Sequence, residues 1–267
     1  MTIDTIVTDL DDTLLSETGK ISEQTLKVLR LCLEKGIRVI PASGRAQASM
    51  EPFVRQINTC LPYIACNGSQ LINPDHTLAE QLCLPITLGQ EICQYFQERN
   101  HFVQVYKDNF IYYDKECDAS EDYKKSSGLK GYAVGDISSF LTFETPKILC
   151  ISDPESIETM YFDLLKRFAG QAIFTISKPI YIEITHPNAH KGAALQRLAA
   201  RIGIHPEKTF VFGDSLNDIS LMAFTENSVA MGNGRDEVKK AARHICLPNS
   251  EDGMARFVME HILRENL

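Results

Sequence analysis

Short apolar runs rich in β-branched residues alternate with amphipathic helical stretches at both ends of the chain. This rhythm restricts the fold more than any other feature. "DTIVTD" (4–9) is the first run, and "SEQTLKVLRLCLEKG" (22–36) follows it. The second stretch places Leu26, Leu29 and Leu33 on one helical face, with Ser22 as N-cap and Gly36 as stop. "IRVIPASG" then reads as strand, "RAQASMEPFVRQI" as helix and "YIACNG" as strand. The last third repeats the pattern. "KGAALQRLAARIGI" is a helix ended by Gly203, and "KTFVFGD" a buried strand. "NDISLMAFT" is a short helix and "NSVAMGNG" a strand and turn, before helices in "RDEVKKAARH" and "EDGMARFVMEHILREN". Such a β-α-β-α-β order requires right-handed crossovers and a parallel sheet.

Between residues 83 and 187 the texture changes. "HFVQVYKDNFIYYD" predicts two strands about a Lys-Asp-Asn turn. "PKILCIS", "SIETMYFDLLKRFAG", "QAIFTIS" and "PIYIEITH" predict strand, helix, strand and strand. Eight of the nine tyrosines fall between positions 95 and 181, so this segment has a composition of its own. We read 83–187 as a second α/β unit inserted into the first. Residues 1–82 and 188–267 are then the two parts of the parallel-sheet core.

A chain of 267 residues can fill one large core or two moderate ones. The net charge of −8 and pI near 5.4 speak against nucleic acid or an anionic membrane as partner. They do not speak against a small anion, because local charge governs a pocket. The eight cysteines form no C-x-x-C pair and sit mostly in apolar stretches. Buried free thiols are therefore expected in preference to zinc or a disulfide frame. The first residues carry no basic segment ahead of an apolar core, and no apolar run is long enough to span a bilayer. A cytoplasmic location is the expectation.

Four short stretches carry chemistry. "DLDDT" (9–13), "ASGR" (42–45) and "GDSLND" (213–218) each follow a predicted core strand, and "HKG" (190–192) opens a helix. Ligands of open α/β sheets bind outside the carboxyl ends of the strands, so these distant stretches should meet there. Asp9, Asp11 and Asp12 crowd three carboxylates into four positions. They repel one another, and each loses water if the site closes. A hard divalent cation resolves that repulsion. Mg²⁺ takes a few carboxylate oxygens, water and substrate phosphate in octahedral array. Asp9 and Asp214 would supply the carboxylates, and a backbone carbonyl near Asp11 a third ligand. Lys191 and the N–H groups around Ser43 and Gly44 would cradle phosphate oxygens. Taken singly, each feature has an ordinary explanation. Asp after a strand forms a turn, Ser43 caps a helix, Lys191 is a solvated lysine and His190 a structural histidine. An EF-hand is a poor fit, since no Gly stands at the sixth position. Only the conjunction points to a site.

In this order the stretches resemble the motifs of the haloacid dehalogenase-like superfamily. "DLDDTLL" is similar to its Asp-x-Asp-x-Thr motif, "ASGR" to its phosphate-binding hydroxyl, Lys191 to its lysine and "GDSLND" to its acidic loop. "NGSQL", "HKGAAL", "GDSLNDISLM", "AMGNG" and "EDGMA" are similar to the Cof-type (IIB) branch, over nearly the whole chain. The resemblance implies a Rossmann-like, doubly wound parallel sheet with a large inserted α/β cap of the C2B type. It also implies a Mg²⁺-dependent phosphatase of small phosphorylated metabolites, with sugar phosphates the favoured class. Asp9 would be the nucleophile and form an aspartyl-phosphate. Asp11 would be general acid and then base, its pKa raised by Asp9 and the phosphate. Ser43, Gly44, Lys191 and Asn217 would bind phosphate. Asp9, Asp11 and Asp214 would hold the metal, with Thr13 and Asp218 in support.

Two positions depart from the branch. Asp12 stands where Gly is frequent, and Ser43 replaces the commoner Thr. The alternatives are a phosphomutase on sugar phosphates and a phosphometabolite-binding protein without turnover. Specificity would lie in the cap, where Lys147, Lys178 and Tyr181 are the residues in reach. Hinges are expected near 81–85 and 185–189.

Overall fold

The computed structural model describes residues 3–264. Residues 1–2, where the leader reading starts, and 265–267, into which the last predicted helix runs, lie outside the described residues. The chain begins with β1 (Thr5–Thr8) and β2 (Arg38–Pro41). A small antiparallel group follows: β3 (Tyr63–Ala65), β4 (Gln70–Ile72) and β5 (Leu78–Gln81). Next come β6 (Phe102–Lys107), β7 (Phe110–Tyr113), β8 (Lys130–Ala133), β9 (Ile148–Ile151), β10 (Ile173–Lys178) and β11 (Tyr181–Thr185). The chain closes with β12 (Thr209–Gly213), β13 (Ser228–Ala230) and β14 (His244–Ile245).

The core sheet is parallel, in the order β14-β13-β12-β1-β2. A single parallel bridge between Ala42 and Ile64 sets β3 beside β2. Alternate residues explain why helices cover both faces. Ile6, Val39, Phe210 and Phe212 pack with Val28 and Leu29 of the helix Glu23–Glu34. Val7, Ile40 and Val211 pack with Ala194, Leu195 and Leu198 of the helix Lys191–Ile202. A strand buried on both sides reads as a continuous apolar run, as "TIVT" and "TFVF" do. Ser22 caps the first helix as expected, its hydroxyl accepting the Thr25 N–H at 3.0 Å.

The inserted cap has its own sheet, in the order β10-β11-β9-β6-β7-β8. One face buries Val103, Val105, Ile148, Cys150, Ile182 and Ile184 against the helices Ile86–Gln97 and Pro154–Arg167. The residues that alternate with these, among them Gln104, Tyr106, Leu149 and Glu183, lie on the opposite face. The β6–β7 hairpin turns on Asp108 and Asn109, both left-handed, with φ of 51° and 66°.

Several elements differ from the sequence reading, which assigns nothing to β4, β5 and β8, to the helix Ile86–Gln97 or to the short helix Ile137–Phe140. The helix Asp118–Ser127 was not predicted, because only Ser120 and Tyr123 of it are buried and it shows no apolar stripe. The predicted final helix over 251–266 is broken. Asp252 is left-handed at φ 55°, so the helix starts only at Gly253; it is α-helical to Phe257, and Val258–Leu263 continues in wider π-type turns. All eight cysteines are free, with Cys32, Cys66, Cys93 and Cys150 buried. No helix among the described residues is long and apolar enough to cross a membrane.

Candidate active site

β1 lies between β2 and β12, so the chain leaves β1 to one side and later returns on the other. The crevice at the carboxyl end of β1 is therefore the topological switch point. Asp9 directly follows β1, Asp214 directly follows β12, and Ser43 stands two residues past β2. Lys191 is the first residue of its helix. His190 caps that helix, its Nδ1 accepting the Ala193 N–H at 3.1 Å.

Lys191 is fully buried, and its Nζ lies 2.5 Å from Asp9 Oδ1 and 2.6 Å from Asp218 Oδ1. Burial opposes the ammonium, but Asp218 and Asp9 outweigh it and hold its pKa above the usual lysine value. The other Asp218 oxygen accepts the N–H groups of Asp214 and Ser215, each at 3.1 Å. Asp218 thus ties the acidic loop to the lysine. Thr13 donates to Asp214 Oδ1 at 2.9 Å, which joins the first loop to the last. Asp12, between them in the turn, is left-handed at φ 55°, a conformation that Asp adopts more readily than most residues.

One carboxylate oxygen from each of Asp9, Asp214 and Asp218 lies within 4.8 Å of the other two. Burial raises Asp9 well above its ordinary value, and Lys191 offsets only part of this. Burial, with Asp218 beside it, pushes Asp214 up to about 7. More negative charge is gathered here than one lysine neutralises. Asp218 is occupied by Lys191 and two N–H groups, which leaves Asp9 and Asp214 as hard oxygen donors. That donor set fits a divalent cation. Asn217 Oδ1, on the same loop, is shielded from solvent and has no partner among the described residues.

Asp11 stands apart from this cluster, and here one expectation is corrected. Its carboxylate is held by the Arg45 fork, with Nε and Nη2 each at 2.7 Å. Burial raises its pKa, but the hydrogen bonds and charge of Arg45 outweigh burial, and the net shift is downward. The sequence reading expected it raised, because Arg45 was seen only as the end of "ASGR" and not as a partner.

Ser43 is buried, and its Oγ accepts the Arg45 N–H at 3.1 Å. A Cβ on Gly44 would lie 2.9 Å from Asn67 Oδ1, so the loop approaches closer than a side chain allows. Asn217 Nδ2 donates to that same Asn67 oxygen at 2.9 Å.

Asp9, Asp11, Ser43, Gly44, Asp214 and Asn217 line one cavity of about 90 Å³. Lys191, Thr13 and Asp218 stand behind that lining and brace it. From the cap, Lys147, Lys178 and Tyr181 line it too, together with Tyr123 and Glu183. Sequence reasoning missed Arg45, Asn67 and Glu183. Asn67 had a signal, since it follows β3 as the other site residues follow their strands. Glu183 had one as well, an acid within the otherwise apolar "YIEIT".

Sheet, crevice and inserted cap together make this a capped α/β protein with a cluster of carboxylates that could hold a divalent cation at the switch point. A sequence model of the haloacid dehalogenase-like hydrolase family matches residues 6–258, and the chain belongs to that family. The 5-amino-6-(5-phospho-D-ribitylamino)uracil phosphatase YitU of Bacillus subtilis (strain 168) is 27% identical over 266 residues, which cover 96% of each chain. Phosphatase YwpJ of the same organism is 27% identical over 288 residues, covering 97% of this chain and 99% of its own. The crystal structure of a haloacid dehalogenase-like hydrolase from Bacteroides thetaiotaomicron matches with a TM-score of 0.86 at 26% identity, covering 98% of this chain and 99% of that one.

Proposed function

We propose that the protein is a Mg²⁺-dependent phosphatase of small phosphorylated metabolites, sugar phosphates foremost. The observation that carries this reading is the buried Asp9 at the switch point, 2.5 Å from Lys191 and grouped with Asp214. Asp9 is the nucleophile, and one of its oxygens bonds to phosphorus as the ester oxygen leaves. Mg²⁺ held by Asp9, Asp214 and the backbone carbonyl near Asp11 would offset the repulsion between carboxylate and phosphate dianion.

Lys191 steadies the Asp9 carboxylate, and Asp218 fixes the Asp214 loop. Ser43 donates its hydroxyl proton to a phosphate oxygen. Gly44 offers its N–H, and Asn217 an amide. Asp11 protonates the leaving oxygen and then takes a proton from the water that hydrolyses the aspartyl-phosphate. The Arg45 fork holds Asp11 in the charged form suited to the second task. The incoming phosphate dianion, competing for Arg45 and raising the local negative potential, favours the protonated form needed for the first.

Residues 83–187 close over the site, hinged near 81–85 and 185–189, and exclude bulk water. A relative named for a phosphorylated ribitylamino-uracil supports a small polyol phosphate as substrate class.

A phosphate-release screen over sugar phosphates, nucleotides and phosphorylated cofactors tests the proposal, with Asp9→Asn as control. Release by the wild type and loss in the control are expected. Isomerised sugar phosphate in place of free phosphate would make the protein a mutase. Binding without either product would make it a binding protein.

A further inference from the structure

The cap carries a buried ion pair that the reaction above leaves without a role. Lys147, just before β9, is 2% exposed, and Glu183, in the middle of β11, is 6% exposed. Their Nζ and Oε2 atoms are 2.9 Å apart. Lys147 also packs over the Tyr106 ring, 4.7 Å from its centre. Burying two charges is costly, and such a pair seldom adds net stability over well-packed apolar residues. Its other bonds give it a use.

Lys147 Nζ donates to the backbone carbonyl of Gly44 at 2.7 Å. The N–H of that same peptide unit, at Arg45, donates to Ser43 Oγ at 3.1 Å. One cap ammonium therefore fixes the Gly44–Arg45 peptide plane from its carbonyl side. The plane in turn engages a lone pair of the Ser43 hydroxyl and leaves its proton for another acceptor.

Glu183 reaches the other wall of the cavity. Its Oε2 accepts from Asn67 Nδ2 at 2.9 Å, and Asn67 Oδ1 accepts from Asn217 Nδ2 at 2.9 Å. Asn67 sits in a left-handed run of Cys66, Asn67 and Gly68, with φ of 49°, 54° and 92°. Two non-glycine residues in that region persist only where the surroundings hold them. Glu183 and the bond from Asn67 N–H to the Ser43 carbonyl, 3.0 Å, are part of that hold.

We propose that Lys147 and Glu183 are positioning residues. With the cap closed, they set Ser43, Gly44 and Asn217 in the geometry that receives phosphate. The inference rests on the phosphatase reading for the role of those three residues. Lys147 and Glu183 both belong to the cap, so the pair travels together. Opening the cap breaks the bonds to Gly44 and Asn67 at the same time. Phosphate affinity and cap closure are thereby coupled, each favouring the other. Lys147, committed to Gly44 and Glu183, does not itself bind the leaving group.

Calorimetric titration of the full chain with inorganic phosphate in Mg²⁺ buffer tests this, with amide hydrogen exchange over 43–46 and 66–69 as second readout. Lys147→Met and Glu183→Gln should each weaken phosphate binding by about tenfold or more. Faster exchange at Cys66 and Asn67 should accompany the loss. Lys147→Arg, which keeps charge and donor, should return to within about threefold of the wild type. In turnover the loss should appear in KM more than in kcat, which a merely structural role would not produce. Folded variants that bind phosphate within about twofold of the wild type, with unchanged exchange, would overturn the proposal. Should Lys147→Met fail to fold, Glu183→Gln, equal in size, decides alone. A wild type that binds phosphate yet releases none from any phosphomonoester would overturn the phosphatase reading instead, and the binding comparison would still judge the positioning role.

Discussion

Replacing Lys191 by methionine keeps most of the side-chain volume and removes the ammonium that touches Asp9 and Asp218, at 2.5 and 2.6 Å. The two carboxylates are left buried beside Asp214 without the cation that pairs with them. Breaking a buried pair from one side costs about 3–5 kcal/mol. Here two acids lose their partner, but one can take up a proton, which keeps the loss near that range. For a chain of this length each kcal/mol lowers Tm by roughly 2–4 °C. Lys191→Met in chelator at about pH 7.5 should therefore melt about 6–20 °C below the wild type. The sign of the pH dependence follows from the acids. Burial already raises Asp9, and losing the lysine raises it further. A carboxyl raised in the folded state destabilises above its folded pKa and is harmless below its unfolded one. The deficit should shrink as pH falls from about 7.5 to about 5, and added Mg²⁺ should recover part of it at the higher pH. Thermal melts followed by circular dichroism measure all three effects. A Tm within about 2 °C of the wild type at both pH values would refute the view that Lys191 neutralises this cluster.

The remaining expectations concern single contacts. Asp214, pushed up to about 7, must lose its proton to bind a cation. Calorimetric Mg²⁺ affinity should thus rise about tenfold or more per pH unit below 7, with Asp9, also raised by burial, adding to the slope, and affinity flat in pH would contradict it. Arg45→Met removes the fork at 2.7 Å but not the burial, so the Asp11 carboxyl should move from below its ordinary value to above it. Carbon-13 NMR titration reads this directly, and a pKa that stays low would show that another group holds it. Gly44→Ala sets a methyl 2.9 Å from Asn67 Oδ1. It should lower kcat/KM by about tenfold or more with little change in Tm, because the shift falls on the site and not on a core. Steady-state kinetics with an unchanged kcat/KM would show that the loop gives way freely.

The parallel core was legible because its strands are buried on both faces. "TIVT" and "TFVF" read as central strands, and neighbouring parallel strands bring Asp9 and Asp214 together at the switch point. Asp12 was legible as a turn residue for the same local reason. What stayed hidden depends on packing between segments far apart in the chain. Nothing in "ASGR" says that Arg45 turns back to Asp11, 34 positions earlier. Nothing in "HKG" says that Lys191 ends fully buried behind Asp9 and not at the mouth of the cavity. Lys147, just before β9, meets Glu183 of β11 because those two strands are neighbours in the cap sheet. The final helix starts late because Asp252 is left-handed, and its π-type turns over Val258–Leu263 leave no mark in a hydrophobic period.

The central claim is that the Asp9 carboxylate itself takes the phosphoryl group. Mix the enzyme rapidly with a phosphate ester that it hydrolyses, quench in acid within the first turnover, and map the peptides by mass spectrometry. A phosphoryl group on the peptide bearing Asp9, transient in time and missing in Asp9→Asn, is the predicted result. Full turnover in Asp9→Asn, or phosphate release with Asp9 never modified, would contradict it.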